Sequence, residues 1–277
     1  MSRHLEYKFF DRSDDGLLAG VEPSVSTGFL TLPMRPEKPR SAGLTLVIDG
    51  GLPTTLFRDY VDSHADLIDV VKLGWGTALA TRDLETKLEL LRDNSIGYFF
   101  GGTLFEKALQ QNRVPEYFDF CANHGCEWIE ISDGTLEIPA EDKTRYIGEA
   151  VGRFKVLSEV GYKDPERSLK LNPARWVAQI RADLLAGAEM VVTEARESGT
   201  SGICRPDGEL RYGLIGEILD AGIDPARLIF EAPNKALQSY FIRLVGSSVN
   251  LANIAFSDLV GLETLRLGLR SDTLDLT

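Results

Sequence analysis

The sequence is poor in cysteine and histidine, with only three of each among its 277 residues. Cys121, Cys126 and Cys204 are odd in number and show no paired spacing, which predicts free thiols in a reducing compartment. Cys121 and Cys126 also lack the two-residue gap typical of zinc knuckles, so we expect no structural zinc.

Long apolar runs and an excess of basic charge are missing as well. Nowhere do about 18 apolar residues run together, so no membrane-spanning helix is expected. The first residues carry no apolar run either, which predicts no signal peptide and a cytoplasmic protein. The chain has 42 acidic against 30 basic residues, a net charge of -12. Nucleic acid and anionic membranes are therefore not expected as partners, and a small anionic substrate would need a local pocket of positive charge.

Short runs of Val, Ile and Leu alternate with stretches of helical spacing from Gly43 onward. Eight buried strands alternating with helices over roughly 230 residues predict a single (β/α)₈ TIM barrel, an α/β fold of about 250 residues. A doubly wound open sheet would need a GxGxxG fingerprint after the first strand, and IDGGLPTT does not supply one. We assign residues 41–277 to the barrel and residues 1–40, which lack a clear period, to an N-terminal arm on its outside. The strand-forming runs are GLTLVIDGG from Gly43, DLIDVVKLGWG from Asp66, SIGYFFGG from Ser95, CEWIEISDG from Cys126, RFKVLSEVG from Arg153, MVVTEAR from Met190, LIFEAPN from Leu228 and NLANIAF from Asn250.

Polar residues close almost every predicted strand, where a barrel places its catalytic groups. Inward carboxylates packed together would repel one another, so a divalent metal or lysines must lie near them. Because the three histidines lie outside the strand ends and the candidate ligands are oxygens, we expect Mg²⁺. Residues two apart share a face, so Glu194 and Arg196 should point the same way, either to position an anion or to form a structural bridge. The candidate metal ligands are Asp49, Glu130, Glu159, Glu194 and Glu231.

Two loops contribute glycine and polar residues that suit an anion. Gly101 to Thr103 leads into a helix near Leu104, so its backbone N–H groups could hold a phosphate or carboxylate, although glycine there is also ordinary turn chemistry. The segment from Ala195 to Ile203 is either a phosphate-binding loop or a simple lid. The candidate substrate-binding residues are Gly101, Gly102, Ser198, Gly199, Lys235 and Asn253.

From about Gly43 to Thr273 the chain resembles the phosphosulfolactate synthases of coenzyme M biosynthesis and their bacterial and plant relatives. The resemblance implies a homo-oligomeric barrel lyase that adds sulfite to carbon 3 of phosphoenolpyruvate with Mg²⁺. It also implies that Lys163 is the general acid for carbon 2 and that Lys72 and Arg196 are catalytic. A lysine acid near neutral pH is expected to have a lowered pKa. The motifs that carry the resemblance are GLTLVIDGGLP, VVKLGWGT, GGTLFE, IEISDG, SEVG, RESG, IFEAPNK, SVNLANIAF and LETLRLGLRSDT.

The chain departs from this family pattern at the end of the first strand, where Gly50 stands in place of a lysine. Tyr162, Phe100 and Ala195 also differ from residues common in the family. The loss of cations leaves two alternatives open. One is a diverged barrel lyase that uses another nucleophile or acceptor, and the other is a non-catalytic relative, since plant relatives are linked with heat tolerance.

Overall fold

The computed structural model describes residues 11–12, 18–19, 24–27 and 29–276, and eight parallel strands form its centre. The strands follow the eight apolar runs closely, which confirms the predicted (β/α)₈ barrel. Two short antiparallel pairs precede them: β1 (Asp11–Arg12) with β2 (Leu18–Ala19), and β3 (Ser24–Thr27) with β4 (Leu30–Pro33). The barrel strands are β5 (Thr45–Asp49), β6 (Val70–Leu73), β7 (Gly97–Phe100), β8 (Trp128–Ile131), β9 (Lys155–Val160), β10 (Met190–Thr193), β11 (Leu228–Glu231) and β12 (Leu251–Ile254).

The hydrogen-bonded order is β7-β6-β5-β12-β11-β10-β9-β8, and β7 and β8 pack side by side to close the barrel. Helices form the outer layer between successive strands. Their bounds are α1 (Thr54–His64), α2 (Thr77–Ala80), α3 (Leu84–Asp93), α4 (Gly102–Gln110), α5 (Val114–Asn123), α6 (Ala140–Ala150), α7 (Pro165–Lys170), α8 (Pro173–Leu185), α9 (Tyr212–Asp220), α10 (Lys235–Val245) and α11 (Leu259–Arg266).

Side-chain alternation divides each strand between two cores. One face of the strands packs against the helices. The other fills the barrel with large apolar side chains such as Phe99, Trp128, Leu157 and Ile229. This filled interior ends one layer before the carboxyl ends of the strands, where the inward positions become charged. The floor of the site is therefore a packed core.

The end of the arm, residues 35–40, packs on the amino end of the barrel. Arg35 pairs with Glu263 at 2.9 Å, and Arg40 pairs with Asp69 at 3.1 Å. Lys38 donates to backbone carbonyls, including that of Ala65 at 2.9 Å. Residues 1–10, 13–17, 20–23 and 28 of the predicted arm lie outside the described residues. All three cysteines are buried free thiols, as predicted. In the described part of the chain, none of the helices has the length and apolarity needed to cross a bilayer.

Candidate active site

Four glutamates meet at the carboxyl ends of neighbouring strands. Glu130 lies on β8, Glu159 on β9 and Glu231 on β11, and Glu194 follows the last residue of β10. Each is at most 1% exposed. Isolated carboxylates at this depth would cost several kcal/mol each, so cations or protons must accompany them.

Lys72, an inward residue of β6, supplies one of these cations. Its Nζ lies 3.0 Å from Glu130 Oε1, 3.6 Å from Glu159 Oε2 and 3.8 Å from Glu231 Oε1. Burial alone would lower the pKa of Lys72, but the three carboxylates outweigh it and raise the pKa above its usual value. Lys72 is therefore a permanent ammonium at the centre of the group.

Lys163, in the turn after β9, supplies a second cation from the rim. Its Nζ lies 3.6 Å from Glu159 Oε1, and 4.0 Å from Glu194 Oε2 and from Glu106 Oε1. The expectation of a lowered pKa is wrong. Burial does act in that direction, but Glu159 and Glu194 outweigh it and raise the pKa of Lys163. Lys163 therefore carries its proton throughout the neutral range.

The carboxyl groups themselves differ in protonation. Burial would raise the pKa of Glu159, but Lys163 and Lys72 lower it to about 2. Burial together with Glu231 and Glu159 raises the pKa of Glu194 well above its usual value. Counted as carboxylates, both oxygens of Glu159 and Oε2 of Glu194 have no hydrogen-bond donor among the described residues. A proton on Glu194 supplies a hydrogen-bond donor to Glu159. The four glutamates are therefore not all anionic.

Glu130 and Glu231 also fix the backbone around the site. Glu130 accepts the Gly102 N–H at the start of α4, and Glu231 Oε2 accepts the N–H groups of Ala195 at 2.8 Å and Arg196 at 3.1 Å. Gly101 N–H donates to Leu73 O at 3.0 Å. The expectation that the N–H groups of both glycines are free for an anion is therefore wrong, because protein oxygens already hold them.

The charged group opens into a small cavity of about 30 Å³. Asn253 lies in its wall with a left-handed backbone, and its Oδ1 has no hydrogen-bond partner among the described residues. The other lining side chains are a mixture of carboxylates, cations, apolar groups and the hydroxyl of Thr103. The lining residues are Ile48, Lys72, Trp75, Gly101, Gly102, Thr103, Glu159, Lys163, Glu194, Arg196, Glu197, Glu231 and Asn253.

Comparisons with known proteins identify the family of this chain. The family model of (2R)-phospho-3-sulfolactate synthase matches residues 33–272. The phosphosulfolactate synthase of Bacillus subtilis is 51% identical over 88% of this chain and 97% of its own length. The chain belongs to the phosphosulfolactate synthase family. The phosphosulfolactate synthase of Methanothermobacter thermautotrophicus is 46% identical over 89% of this chain and 96% of its own length.

Solved structures of other families share the barrel of this phosphosulfolactate synthase family member. The 3-hexulose-6-phosphate synthase of Salmonella typhimurium superposes with a TM-score of 0.53 over 82% of this chain and all of its own. The two sequences are only 10% identical, so this likeness concerns the fold alone.

Asp49, predicted as a metal ligand, does not join the glutamates. Its neighbour Ile48 points into the barrel, so Asp49 faces the helices. There it accepts from Lys87 Nζ at 2.5 Å and from the N–H groups of Gly51 and Leu52, each at 2.8 Å. These bonds satisfy Asp49 as a buried structural carboxylate.

Three predicted substrate-binding residues also lie away from the lining of the cavity. The Lys235 ammonium pairs with Asp272 at 2.6 Å near the carboxyl-terminal segment. Ser198 is exposed and bonds to Thr200 at 2.6 Å, and Gly199 is buried beside Asn234. The loop that contains Ser198 and Gly199 therefore reaches the cavity only through Arg196 and Glu197.

Arg196 lies at the rim, but its guanidinium does not pair with Glu194 as strand alternation predicts. β10 ends at Thr193, and Arg196 has a left-handed backbone with φ of 62°. Its N–H donates to Glu194 Oε1, while its side chain reaches Lys163 O at 3.4 Å. Alternation fails here because the strand has already ended.

Sequence reasoning missed Glu106 and Lys143, which support the site from the helices. Glu106 on α4 accepts from Ser132 Oγ at 2.6 Å and lies beside Lys163. Lys143 on α6 donates to the backbone carbonyl of Glu159 at 2.6 Å. Glu106 stands within the motif GGTLFE, but a search restricted to strand ends passes over helical residues.

Proposed function

We propose that this protein adds sulfite to carbon 3 of phosphoenolpyruvate and forms phosphosulfolactate. Family membership supports a lyase of this type, and the site supplies groups suited to the chemistry. The single observation that carries the proposal is the placement of two ammonium groups, Lys72 and Lys163, among buried glutamates at the carboxyl end of the barrel.

The bond changes assign a role to each cation. The sulfur lone pair forms a bond to carbon 3, and the electrons of the carbon–carbon double bond move toward carbon 2 and its carboxylate. The resulting aci-carboxylate dianion is stabilised by positive charge placed before the reaction, which Lys72 supplies at depth and Arg196 at the rim. Lys163, which holds its proton at neutral pH, then donates that proton to carbon 2.

Charge balance supports an additional cation. Glu130, Glu159, Glu194 and Glu231 face three basic side chains, so the mouth carries no surplus of positive charge for an anionic substrate. Among the described residues, no three His, Cys, Asp or Glu side chains form a ready-made metal cage. Mg²⁺, however, commonly uses only one or two carboxylates together with substrate oxygens and water. The donor set therefore fits Mg²⁺ if the ion is shared between protein and substrate.

The oxygens without donors identify which carboxylates would hold Mg²⁺. Neither oxygen of Glu159 accepts a hydrogen bond from a basic side chain or backbone N–H of the described residues, and Glu194 would add its Oε2 on releasing its proton, whereas Glu130 and Glu231 already accept backbone N–H groups. A bound Mg²⁺ would supply charge stabilisation to the developing aci-carboxylate. Lys72 remains between the glutamates and keeps them from repelling one another.

A binding measurement tests the metal proposal without relying on turnover. Mn²⁺, monitored by electron paramagnetic resonance with phosphoenolpyruvate present, should bind the wild type, and Glu159→Gln should weaken this binding by about tenfold or more. Glu127→Gln is the matched control, because Glu127 pairs with Lys155 in an exposed position. Equal Mn²⁺ affinity in Glu159→Gln and wild type would contradict the assignment.

The reaction itself is tested by sulfite-dependent consumption of phosphoenolpyruvate and detection of the product by phosphorus NMR. Wild-type protein should form phosphosulfolactate with Mg²⁺ and lose activity after exhaustive chelation. No product with sulfite, under conditions in which a related synthase is active, would contradict the proposal. A homo-oligomer and a cytoplasmic location remain predictions, and light scattering tests the first.

Gly50 favours one alternative function, a diverged lyase that uses another nucleophile or acceptor. If the lost lysine has redirected specificity, wild type should add sulfite negligibly and should react faster with another nucleophile. A panel of nucleophiles tested with phosphoenolpyruvate distinguishes this alternative from the main proposal.

A further inference from the structure

Trp75 is the unusual residue at the mouth. It lies in the turn Gly74–Gly76 directly after β6, with a left-handed backbone of φ 53° and ψ 26°. Such a conformation is a genuine outlier for a bulky residue and persists only where surrounding contacts impose it. The side chain is 54% exposed, although it lines the same cavity as Lys72 and Glu159.

Close contacts hold this turn in place. Thr77 Oγ1 donates to Asp49 O at 3.3 Å, which ties the turn to the end of β5. Gly74 fits against Ile48, since a Cβ on Gly74 would lie only 2.8 Å from Ile48 Cδ1. The backbone of Trp75 therefore packs tightly against the barrel, and this packing fixes the direction of the indole ring.

The indole ring lies on Gly50. A Cβ added to Gly50 would overlap Cζ3 of Trp75 and lie 3.1 Å from its Cη2. Gly50 does not have a positive φ, so its backbone tolerates a side chain. Position 50 requires glycine because the Trp75 ring covers it. The ring already fills the space that the Cβ of a lysine would need.

Ile48, together with Gly50 and the Trp75 ring that lies on it, separates two spaces of very different size. The charged cavity measures about 30 Å³, enough for roughly one water molecule. On the other side lies a hollow of about 320 Å³, bounded by Gly50, Leu52, Tyr60 and Phe256 among others. Ile48 lines both spaces, so the wall between them is thin.

We propose that the Trp75 ring, seated on Gly50, is the wall that limits the size of the molecule admitted to the charged mouth. A substrate with a carboxylate and a phosphate exceeds the enclosed space and must extend along this ring. Substituents on its carbon skeleton then meet the indole. Removing the ring widens the charged space toward Gly50 and relaxes the limit. The inference rests on the proposed function only for the identity of the substrate.

Substrate preference tests the wall. The measured quantity is a ratio of two kcat/KM values, both determined with sulfite. The value for phosphoenolpyruvate is divided by the value for its analogue with one extra methyl group on carbon 3. In Trp75→Ala this preference should fall by about tenfold or more, the usual weight of one methyl group against a fitted wall. Leu79→Ala, which truncates a 67% exposed apolar residue on α2, should keep the wild-type ratio. An unchanged ratio in Trp75→Ala would overturn the proposal.

Fluorescence quenching tests the contact between the Trp75 ring and Gly50 independently of turnover. Trp128 and Trp176 are 9% and 0% exposed, so acrylamide quenches chiefly Trp75. Gly50→Ala should displace the ring and increase quenching, whereas Gly213→Ala should not, because a Cβ on Gly213 meets nothing within 4 Å. Equal quenching in Gly50→Ala and wild type would show that the ring is not seated on Gly50. Absence of turnover in the wild type would instead contradict the proposed function, and the quenching result would stand separately.

Discussion

The two ends of the barrel both bury charge, but they satisfy it in different ways. At the amino end, Arg266 is fully buried and donates to three backbone carbonyls, those of Ser247 at 2.6 Å, Val249 at 2.7 Å and Leu44 at 3.2 Å. Burial, reinforced by Arg35, lowers the pKa of Arg266 to about 9. At the carboxyl end, four glutamates share two lysines, and three of the glutamate oxygens accept no hydrogen bond from a basic side chain or backbone N–H in the described part of the chain.

This difference separates a structural charge from one available for chemistry. Carbonyls around Arg266 hold both terminal nitrogens of the guanidinium, and only its Nε lacks an acceptor among the described residues. The glutamates around Lys72 and Lys163 are incompletely satisfied, so a substrate or metal ion can complete them. Substitutions at the mouth should therefore affect turnover first, and substitutions at the amino end should affect stability first.

The largest expected effect is at the mouth. Lys163→Ala should lower kcat by roughly 10²–10⁴-fold, the usual contribution of a positioned acid, while the thermal midpoint changes little. Steady-state kinetics and thermal denaturation measure the two quantities. Full turnover in a folded Lys163→Ala variant would remove Lys163 from the chemistry and weaken the contrast between the two ends.

An intermediate effect is expected at the amino end. Arg266→Met should lower the free energy of unfolding by about 3 kcal/mol, because buried carbonyls lose their donor. Denaturant titration measures this loss. The folded fraction should retain wild-type Mn²⁺ binding, and a selective loss of that binding without destabilisation would show that the ends are coupled.

The smallest effect is expected for a lysine on the surface of the amino end. Lys155 pairs with Glu127 in an exposed position and lies 5.1 Å from the Trp128 ring centre. Lys155→Ala should lower the free energy of unfolding by only about 0.5–1 kcal/mol and leave kcat unchanged. Denaturant titration and the sulfite assay measure these two quantities. A large fall in kcat would contradict the separation between structural charges at the amino end and chemically available charges at the carboxyl end.

The strands and most of the carboxylates were predictable because each depends on a local pattern. Runs of Val, Ile and Leu mark β5 to β12, and Glu130, Glu159 and Glu231 stand at strand ends, where inward side chains reach the mouth. Asp49 was wrongly predicted to point into the barrel, because on β5 the inward side chain is that of Ile48, one residue earlier.

Other features depend on tertiary contacts that no local pattern encodes. Glu106 and Lys143 reach the site from helices, and the fit of Trp75 over Gly50 requires two loops from different strands. The raised pKa of Lys163 depends on how many carboxylates surround it, which only the assembled barrel determines.

The charged side chains of the site lie on different strands, and this has a consequence for folding kinetics. Lys72 and Glu130 are separated by 58 residues, and Glu231 comes from the penultimate strand of the chain. Contacts of such long range form late, after the entropy of closing large loops has been lost. In a partly folded chain these side chains are hydrated and separate, so desolvation of the glutamates coincides with barrel closure. Mn²⁺ bound in the presence of phosphoenolpyruvate would thus report during refolding on the final step rather than on secondary structure.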